Sequence, residues 1–451
     1  MMNALPLTLP IALVLIACAL AVAVMAYRMP WISGAAIAAT APFAWYHSLG
    51  PTLVTLPKAV FVGALAGVLL RAAFDPSERI GMRDALFADR APLAFVAFAA
   101  FGLISITWAD GRADAARDAL HWTWYAGAFC LTAATVRTSA DAMRVAVVFL
   151  GSSVVVGLDG LWQTFAGAPD VFRAADGSLV QRVTSTLEGP NQFGAYLETV
   201  IPILLAILLF ARVSRLAFIA GTLLLGLLAS DLLLTFSRGA FWACAAGVCV
   251  VVAAYIWAKR YADSVTVSTL PKRGAVVAAS VALFVIPVAG ANISLDGLRH
   301  EFLATPSATY SMVARAQLWQ CAESLIAAAP VIGVGAGNFA DANARCANAP
   351  PTPWHGSANQ LYLETAVDLG VVGLAILIAF LSIMLLRARS AELWASPVAV
   401  GAYGALFALC LHGLVDDVFT FPKMALPFFV AIALIPAMRR SAEARPLPLP
   451  L

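Results

Sequence analysis

The densest run of chemically capable side chains is Trp354-His355-Gly356-Ser357-Ala358-Asn359-Gln360-Leu361-Tyr362-Leu363-Glu364, continuing to Gly370 and Gly373. It lies where a long polar loop re-enters an apolar segment, and polar groups at a membrane helix mouth are costly unless something uses them. A helix beginning at Gly356 or Ser357 would put Asn359 and Leu363 on one face, with His355 just above. The chemistry suggested is base-assisted attack by an alcohol. His355 would take the proton, and Asn359, Gln360 and Tyr362 would orient hydroxyl groups. The plainer reading makes His355 a surface residue beside Trp354.

Cationic groups suited to phosphate stand elsewhere. In Arg182-Val-Thr-Ser-Thr-Leu-Glu188-Gly-Pro190-Asn191-Gln192, capping of the next helix accounts for Asn191 but not for Arg182, and Gln192 is a second polar candidate. In Thr235-Phe236-Ser237-Arg238-Gly239-Ala240 a tight turn holds Arg238 between two apolar segments; it is either a snorkelling side chain or an anion ligand. A helix over 308–328 carries Arg315 and Trp319 four residues apart on one face. Its pattern fits an amphipathic helix in the interface, with Arg315 either in water or turned inward toward Arg238. Guanidinium groups are bidentate phosphate donors, so Arg182, Arg238 and Arg315 could together hold a diphosphate.

Other polar features carry less. Gly333-Val-Gly335-Ala-Gly337-Asn338 lacks the Lys-Ser/Thr of a phosphate loop and reads as a flexible turn. Asp416 and Asp417 follow His412 at a span end, where solvation or capping is the ordinary role. Asp159, Asp231, Glu198 and Glu364 lie in or near spans and are candidates by location. The spacing shows no metal-binding cluster, and no cofactor is implied. Cys321 and Cys346 share the long polar loop; they either pair, if it faces an oxidising compartment, or stay as two thiols.

The elements that must position these groups are membrane helices. Of 451 residues, 62% are hydrophobic and 12% charged, and the mean hydropathy is +0.87, a balance no soluble domain has. The net charge of +3, dispersed over short loops, argues against nucleic acid. Apolar runs near 7–26, 31–46, 53–72, 92–108, 121–137, 145–165, 191–211, 215–234, 239–258, 274–293, 358–386, 397–415 and 420–438 predict an all-α integral membrane protein of about 12 transmembrane helices. Residues 1–26 lack a basic leader, so they read as an uncleaved span. The organisation expected is helices with short loops over 1–293, a periplasmic loop domain with its amphipathic helix over 294–357, C-terminal spans over 358–438 and a cytoplasmic tail over 439–451. Basic residues crowd alternate loops (Arg71 to Arg90, Arg137 and Arg144, Arg212 and Arg215, Lys259 to Arg273, Arg387 and Arg389, Arg439 and Arg440), so that side reads as cytoplasmic. The motifs then fall outside.

The order Arg-x-x-Ser-Thr…Pro-Asn-x-Phe, Ser-Arg-Gly-Ala, Arg-x-x-x-Trp…Pro-x-x-Gly-x-Gly-x-Gly-Asn and an Asn/His-rich helix start with Gly-x-x-Gly resembles the O-antigen ligase and polymerase superfamily over roughly residues 180–420. One place departs. Aligned on Gly370 and Gly373, the family's His-Asn/Ser/Gln position holds Asn359-Gln360, and His355 stands four residues earlier. The resemblance implies a multi-pass protein of the bacterial inner membrane with its site facing the periplasm. It implies transfer of a glycan from an undecaprenyl-diphosphate carrier to a sugar hydroxyl of lipid A–core. Polymerases extend another carrier-linked glycan instead, and a related branch glycosylates pilin-like proteins. Its expected catalytic residues are His355, Asn359 and Gln360, its diphosphate ligands Arg182, Arg238 and Arg315, and its substrate contacts Asn191, Gln192, Trp319 and Tyr362. With guanidinium groups in place a divalent metal is not required. A transporter is the rival from another class; it would need broken helices related by repeat, and no such repeat is evident.

Overall fold

The computed structural model describes residues 5–49, 52–87, 89–173, 179–261, 310–346, 356–389 and 396–443, with isolated positions between 273 and 282 and Trp394. His355 and Trp354, most of the span expected near 274–293 and the start of the 294–357 loop lie outside these residues. In chain order the helices are α1 (Leu9–Arg28), α2 (Ile32–Thr40), α3 (Leu56–Phe74), α4 (Pro76–Phe87), α5 (Arg90–Ser105), α6 (Arg112–Thr135), α7 (Ser139–Ala166), α8 (Pro190–Phe210), α9 (Arg215–Leu234), α10 (Arg238–Tyr261), α11 (Tyr310–Ala328), α12 (Phe339–Asn343), α13 (Leu361–Leu385), α14 (Pro397–His412) and α15 (Pro422–Glu443).

Seven of them (α1, α3, α7, α8, α9, α10 and α13) are long and apolar enough to cross a membrane, and eight if the bent α4–α5 pair is one span. The sequence predicts about 12; α2 with the turn that follows it, α14, and the Pro422–Met438 part of α15 are apolar but only 10–17 residues long. The body is α-helical, as expected, but two small sheets adorn it. Residues Leu5–Pro6, His47–Leu49 and Thr52–Val54 form one, and an antiparallel hairpin of Asp170–Arg173 with Leu179–Arg182 forms the other. That hairpin replaces the charged loop expected before α8, and it sets Arg182 on its last rung, opposite Asp170.

Helix α8 is the central pillar. It is apolar all round, and its residues from Phe193 to Leu209 are buried; a helix of that kind belongs inside a bundle. It packs against α9, α10, α14 and α15. The approach to α14 is close because Gly401 offers no Cβ, which would sit 2.4 Å from Ile203 Cα. Small residues at crossings let membrane helices pack by van der Waals contact. On the other side of the bundle Phe95, Trp122, Tyr125, Phe129, Phe380 and Phe429 interlock by edge and stacked contacts.

Charge sorts the two ends. Glu78 joins Arg71 to Arg137, and Asp89 joins Arg387, so three of the basic loops meet at one end. The opposite end gathers the N-termini of α6, α8, α10 and α13 with the C-termini of α9 and α14.

Helix α13 is broken at Gly370, whose φ of 64° and ψ of −169° are outside helical values. The break frees backbone groups that must be paired. The preceding Gly-rich stretch does this: Val371 and Val372 N–H donate to the Pro330 and Val331 carbonyls, while Val334 and Gly335 N–H donate to the carbonyls of Val367 and Asp368. A Cβ at Gly370 would lie 2.2 Å from Val331 O, so the position needs glycine for space as well as for its positive φ. The Gly333–Asn338 stretch, expected as a flexible turn, is therefore part of a packed clasp across the kink that begins at Pro330.

Candidate functional site

Three arginine-bearing segments meet at the polar end of α8. Arg182 ends the hairpin; its Nε donates to Thr235 O at 2.8 Å and its NH2 to Asn191 Oδ1 at 2.9 Å. Asn191 is not the cap that its sequence suggests. Gly189 holds the cap position and Pro190 follows it, leaving the Asn191 side chain to face across the site. Its Nδ2 donates to Asp416 Oδ2 at 2.6 Å. The same oxygen stands 3.7 Å from Arg315 NH2, so Asp416 links both strands of the network. Arg315 and Arg182 side chains are 18% and 19% exposed, low for guanidinium groups and still open to a ligand. Arg238 begins α10, immediately after the turn whose Thr235 carbonyl holds Arg182. The turn is tight, with Phe236 at φ 49°.

Asp416 and Asp417, expected to solvate a helix end, are 4% and 8% exposed. Burial pushes the Asp417 carboxyl up to about 6, with the Asp416 charge adding and the Thr420 hydroxyl opposing. One turn earlier His412 Nδ1 meets Glu198 Oε1 at 3.1 Å, a dyad with both side chains within 1% of full burial. The outer nitrogen of that imidazole lies against Gly239, where a Cβ would come within 2.8 Å of Nε2. Sequence reasoning missed this pair because 214 residues separate its members.

The start of α13 differs from expectation. The helix begins at Leu361 and Gln360 caps it, its Oε1 accepting from Leu363 N–H. Asn359 is not helical but sits in the preceding turn at φ 49°, in contact with Ser357. Glu364 Oε2 reaches back to accept from Ser357 Oγ at 2.5 Å and Ala358 N at 2.8 Å. Trp319 Nε1 donates to Ala358 O at 3.0 Å, and Tyr362 Oη to Cys410 O at 2.8 Å. Both side chains thus hold the mouth in shape. Gln192 lies near its own turn, 2.7 Å from where a Gly189 Cβ would be.

Helix α11 begins at Tyr310 and ends at Ala328, close to its predicted bounds. Its apolar face does not lie on lipid alone: Leu318 and Ala322 form a buried cluster with Phe339, Ala358 and Val367. Cys321 and Cys346 are disulfide-bonded, joining α11 to the chain just past α12. Arg315 is thereby carried on a helix anchored at both its apolar face and its middle.

Residues 223–378 match the profile of the family described as O-antigen ligase. That stretch, about a third of the chain, is what it has in common with the O-antigen ligase family. The matched stretch spans Arg238, Arg315, Asn359 and α13 past its break as far as Ile378; Arg182, Asn191 and Asp416 lie outside it and reach it through the fold. Enzymes of the O-antigen ligase family transfer glycans and act on lipid-linked substrates, and the multi-pass helical body accords with that. A comparison with curated proteins finds no match.

Proposed function

We propose that this protein is a lipopolysaccharide O-antigen ligase. It transfers a glycan from undecaprenyl diphosphate to a sugar hydroxyl of lipid A–core, at the periplasmic face of the bacterial inner membrane. The observation that carries the reading is the junction of Arg182, Asn191, Asp416 and Arg315 beside the first residue of α10, Arg238. A membrane protein that assembles guanidinium groups from distant segments at one end of its bundle is built to hold a lipid-borne anion. The Cys321–Cys346 disulfide supports an oxidising compartment for that end.

In the reaction the acceptor oxygen attacks the anomeric carbon as its bond to the diphosphate oxygen breaks. The leaving diphosphate gains negative charge, which Arg182, Arg238 and Arg315 neutralise. The hydroxyl proton passes to a base, for which His355 is the residue of choice; the oxygen enters opposite the leaving group, inverting the centre. Positive charge from the arginines supplies what a divalent metal supplies elsewhere, so the transfer runs in EDTA. A polymerase or a protein O-oligosaccharyltransferase would use the same clamp with a different acceptor, and the product distinguishes them: one glycan block on lipid A–core, a longer carrier-linked chain, or a glycosylated protein.

The test is transfer by purified protein from carrier-linked glycan to lipid A–core with EDTA present. Arg238→Ala should lower the rate by about two to three orders of magnitude, the usual cost of losing one transition-state charge donor. Normal transfer by Arg238→Ala would remove the clamp, and normal transfer by His355→Ala would move the base to another group.

A further inference from the structure

Residues 183–189 connect two members of the arginine network, Arg182 before them and Asn191 just after. Ser185 in this stretch has φ 51°, a conformation that persists only where the surroundings hold it. Helix α7 holds one side. Gln163 Oε1 accepts from the Thr184 and Ser185 N–H groups at 3.0 Å each, and Gln163 Nε2 donates to Ser185 O at 3.1 Å. The other side is held from the start of α15. Lys423 Nζ donates to Thr186 O at 2.6 Å and stands 3.8 Å from Glu188 Oε1, which also accepts from Tyr46 Oη at 3.1 Å.

Lysine is seldom this buried unless it is paired. The Lys423 side chain is 10% exposed, against 18% and 19% for Arg315 and Arg182, and its ammonium is turned to the carbonyl of the connecting stretch rather than to a ligand. Among the described residues its polar contacts are Thr186, Glu188 and the Tyr46 ring, none of them a member of the network. Glu188 depends on it. That carboxylate is 7% exposed and its Oε2 is buried without a hydrogen-bond partner, so it is held through Oε1 alone, by one neutral hydroxyl and one cation. Without the cation a buried carboxylate would be left nearly uncompensated, and the chain bearing it would move toward water. That chain ends in Asn191. Residues 182–191 and 416–423 are thus tied at two places, Asn191 to Asp416 at 2.6 Å and Thr186 with Glu188 to Lys423.

We propose that Lys423 is a positioning residue of the diphosphate site. By gripping Thr186 and Glu188 it sets Asn191 against Asp416, and through Asn191 it sets the aim of the Arg182 guanidinium. The role rests on the ligase reading for one thing, the diphosphate as ligand; the grip itself stands on the contacts. Misplacing a charge donor by a fraction of its hydrogen-bond length weakens both binding and transfer, so a residue that touches no substrate can still govern them.

The experiment measures farnesyl diphosphate binding at low salt by the full-length protein in detergent, in a double-mutant cycle. Lys423→Met and Arg182→Gln should each weaken binding about tenfold. The double variant should also lose about tenfold rather than a hundredfold, because both changes disable the same guanidinium. Lys423→Arg, which keeps a cation within reach of Glu188, should bind within about threefold of the native protein. Glu188→Gln keeps an acceptor for Tyr46 while removing the attraction to Lys423; it should show the same non-additivity with Arg182→Gln, and serves if Lys423→Met does not fold. A merely structural lysine would lower the melting temperature and leave the affinity of the folded protein unchanged, and an independent phosphate ligand would give additive losses; either result overturns the proposal. Additive losses would remove this role and leave the arginine clamp standing, whereas no binding by the native protein would remove the clamp and this role with it.

Discussion

Asp416 has an unusual position for a carboxylate beside the proposed diphosphate site, and replacing it by Asn should move two properties in opposite directions. In the resting protein it is the counter-charge of Arg315 at 3.7 Å and the acceptor of Asn191 at 2.6 Å. Unit charges about 4 Å apart attract by about 4 kcal/mol at an effective dielectric constant near 20, an upper bound from which desolvation subtracts. The net loss on removing the charge should be about 1–3 kcal/mol, because Asn still accepts from Asn191 but leaves the guanidinium uncompensated. The empty protein should then melt several degrees lower. A diphosphate, however, is repelled by Asp416. At about 7 Å and an effective dielectric near 40, one negative charge raises its energy by about 1 kcal/mol, or about fivefold in affinity. Asp416→Asn should therefore bind farnesyl diphosphate about fivefold more tightly, and the ligand should restore more of its melting temperature than it adds to the native protein. The measurements are thermal shift and equilibrium binding at low salt. Weaker binding with unchanged resting stability would show that Asp416 is not a placeholder for the ligand, and that the clamp is arranged differently.

Other consequences can be checked as directly. Asn359 at φ 49° should tolerate Gly without loss of melting temperature, while Val should cost about 1–2 kcal/mol; transfer by the well-folded Asn359→Gly protein would then report on the side chain alone. Breaking the Cys321–Cys346 bond should cost about 3 kcal/mol of stability for a loop of this length, so reductant should lower the melting temperature of the native protein and leave Cys321→Ser unaffected. Burial, reinforced by the charge of Asp417, pushes Asp118 up to about 7, and Asp417 itself rises to about 6. Both values lie above the ordinary 3.8, so the folded chain holds these protons more tightly than the unfolded chain. Their stabilisation is complete below about pH 4 and is lost as pH rises through about 6 and then about 7. The melting temperature should fall across that window, and Asp118→Asn should flatten its upper half; an identical slope in the variant would count against the assignment.

The sequence was most legible where side-chain type and position decide the matter alone. Arg182 and Arg315 stand out because a guanidinium at a span end has few ordinary uses, and the fold joins them through Asn191 and Asp416. Helix α11 was readable from its periodicity to within a few residues. What the sequence concealed were relations made by closure of the fold. Asp416 and Asp417 look like solvated carboxylates until the loop that bears them is buried. Asp118 lies in the run Arg112-Ala-Asp-Ala-Ala-Arg-Asp, which reads as a water-facing helix turn. The Gly333–Gly337 stretch reads as flexible because nothing local announces that the break at Gly370 will claim its amides together with the carbonyls of Pro330 and Val331. The start of α13 shifted for a similar reason: Ser357 and Ala358 are held by Glu364 and Trp319, which keeps Asn359 out of the helix.

The adjacent acids at 416 and 417 show how one short loop can serve two demands. Extended backbone sends consecutive side chains to opposite sides, and here one carboxylate meets cations while the other meets carboxylates. A glycan transferase needs this contrast. The leaving group is an anion and must be drawn by positive charge, whereas the incoming alcohol must be offered acceptors and kept from the cations. If both groups were set on rigid helices, each would keep its place, but nothing would tie their spacing. A loop of nine residues between α14 and α15, braced by Tyr125 Oη on Phe419 O at 2.9 Å, fixes the spacing at a single peptide unit. Inserting one glycine between Asp416 and Asp417 would leave every side chain of both sites present and disturb only their register. On this reasoning it should cost transfer far more than it costs binding of farnesyl diphosphate.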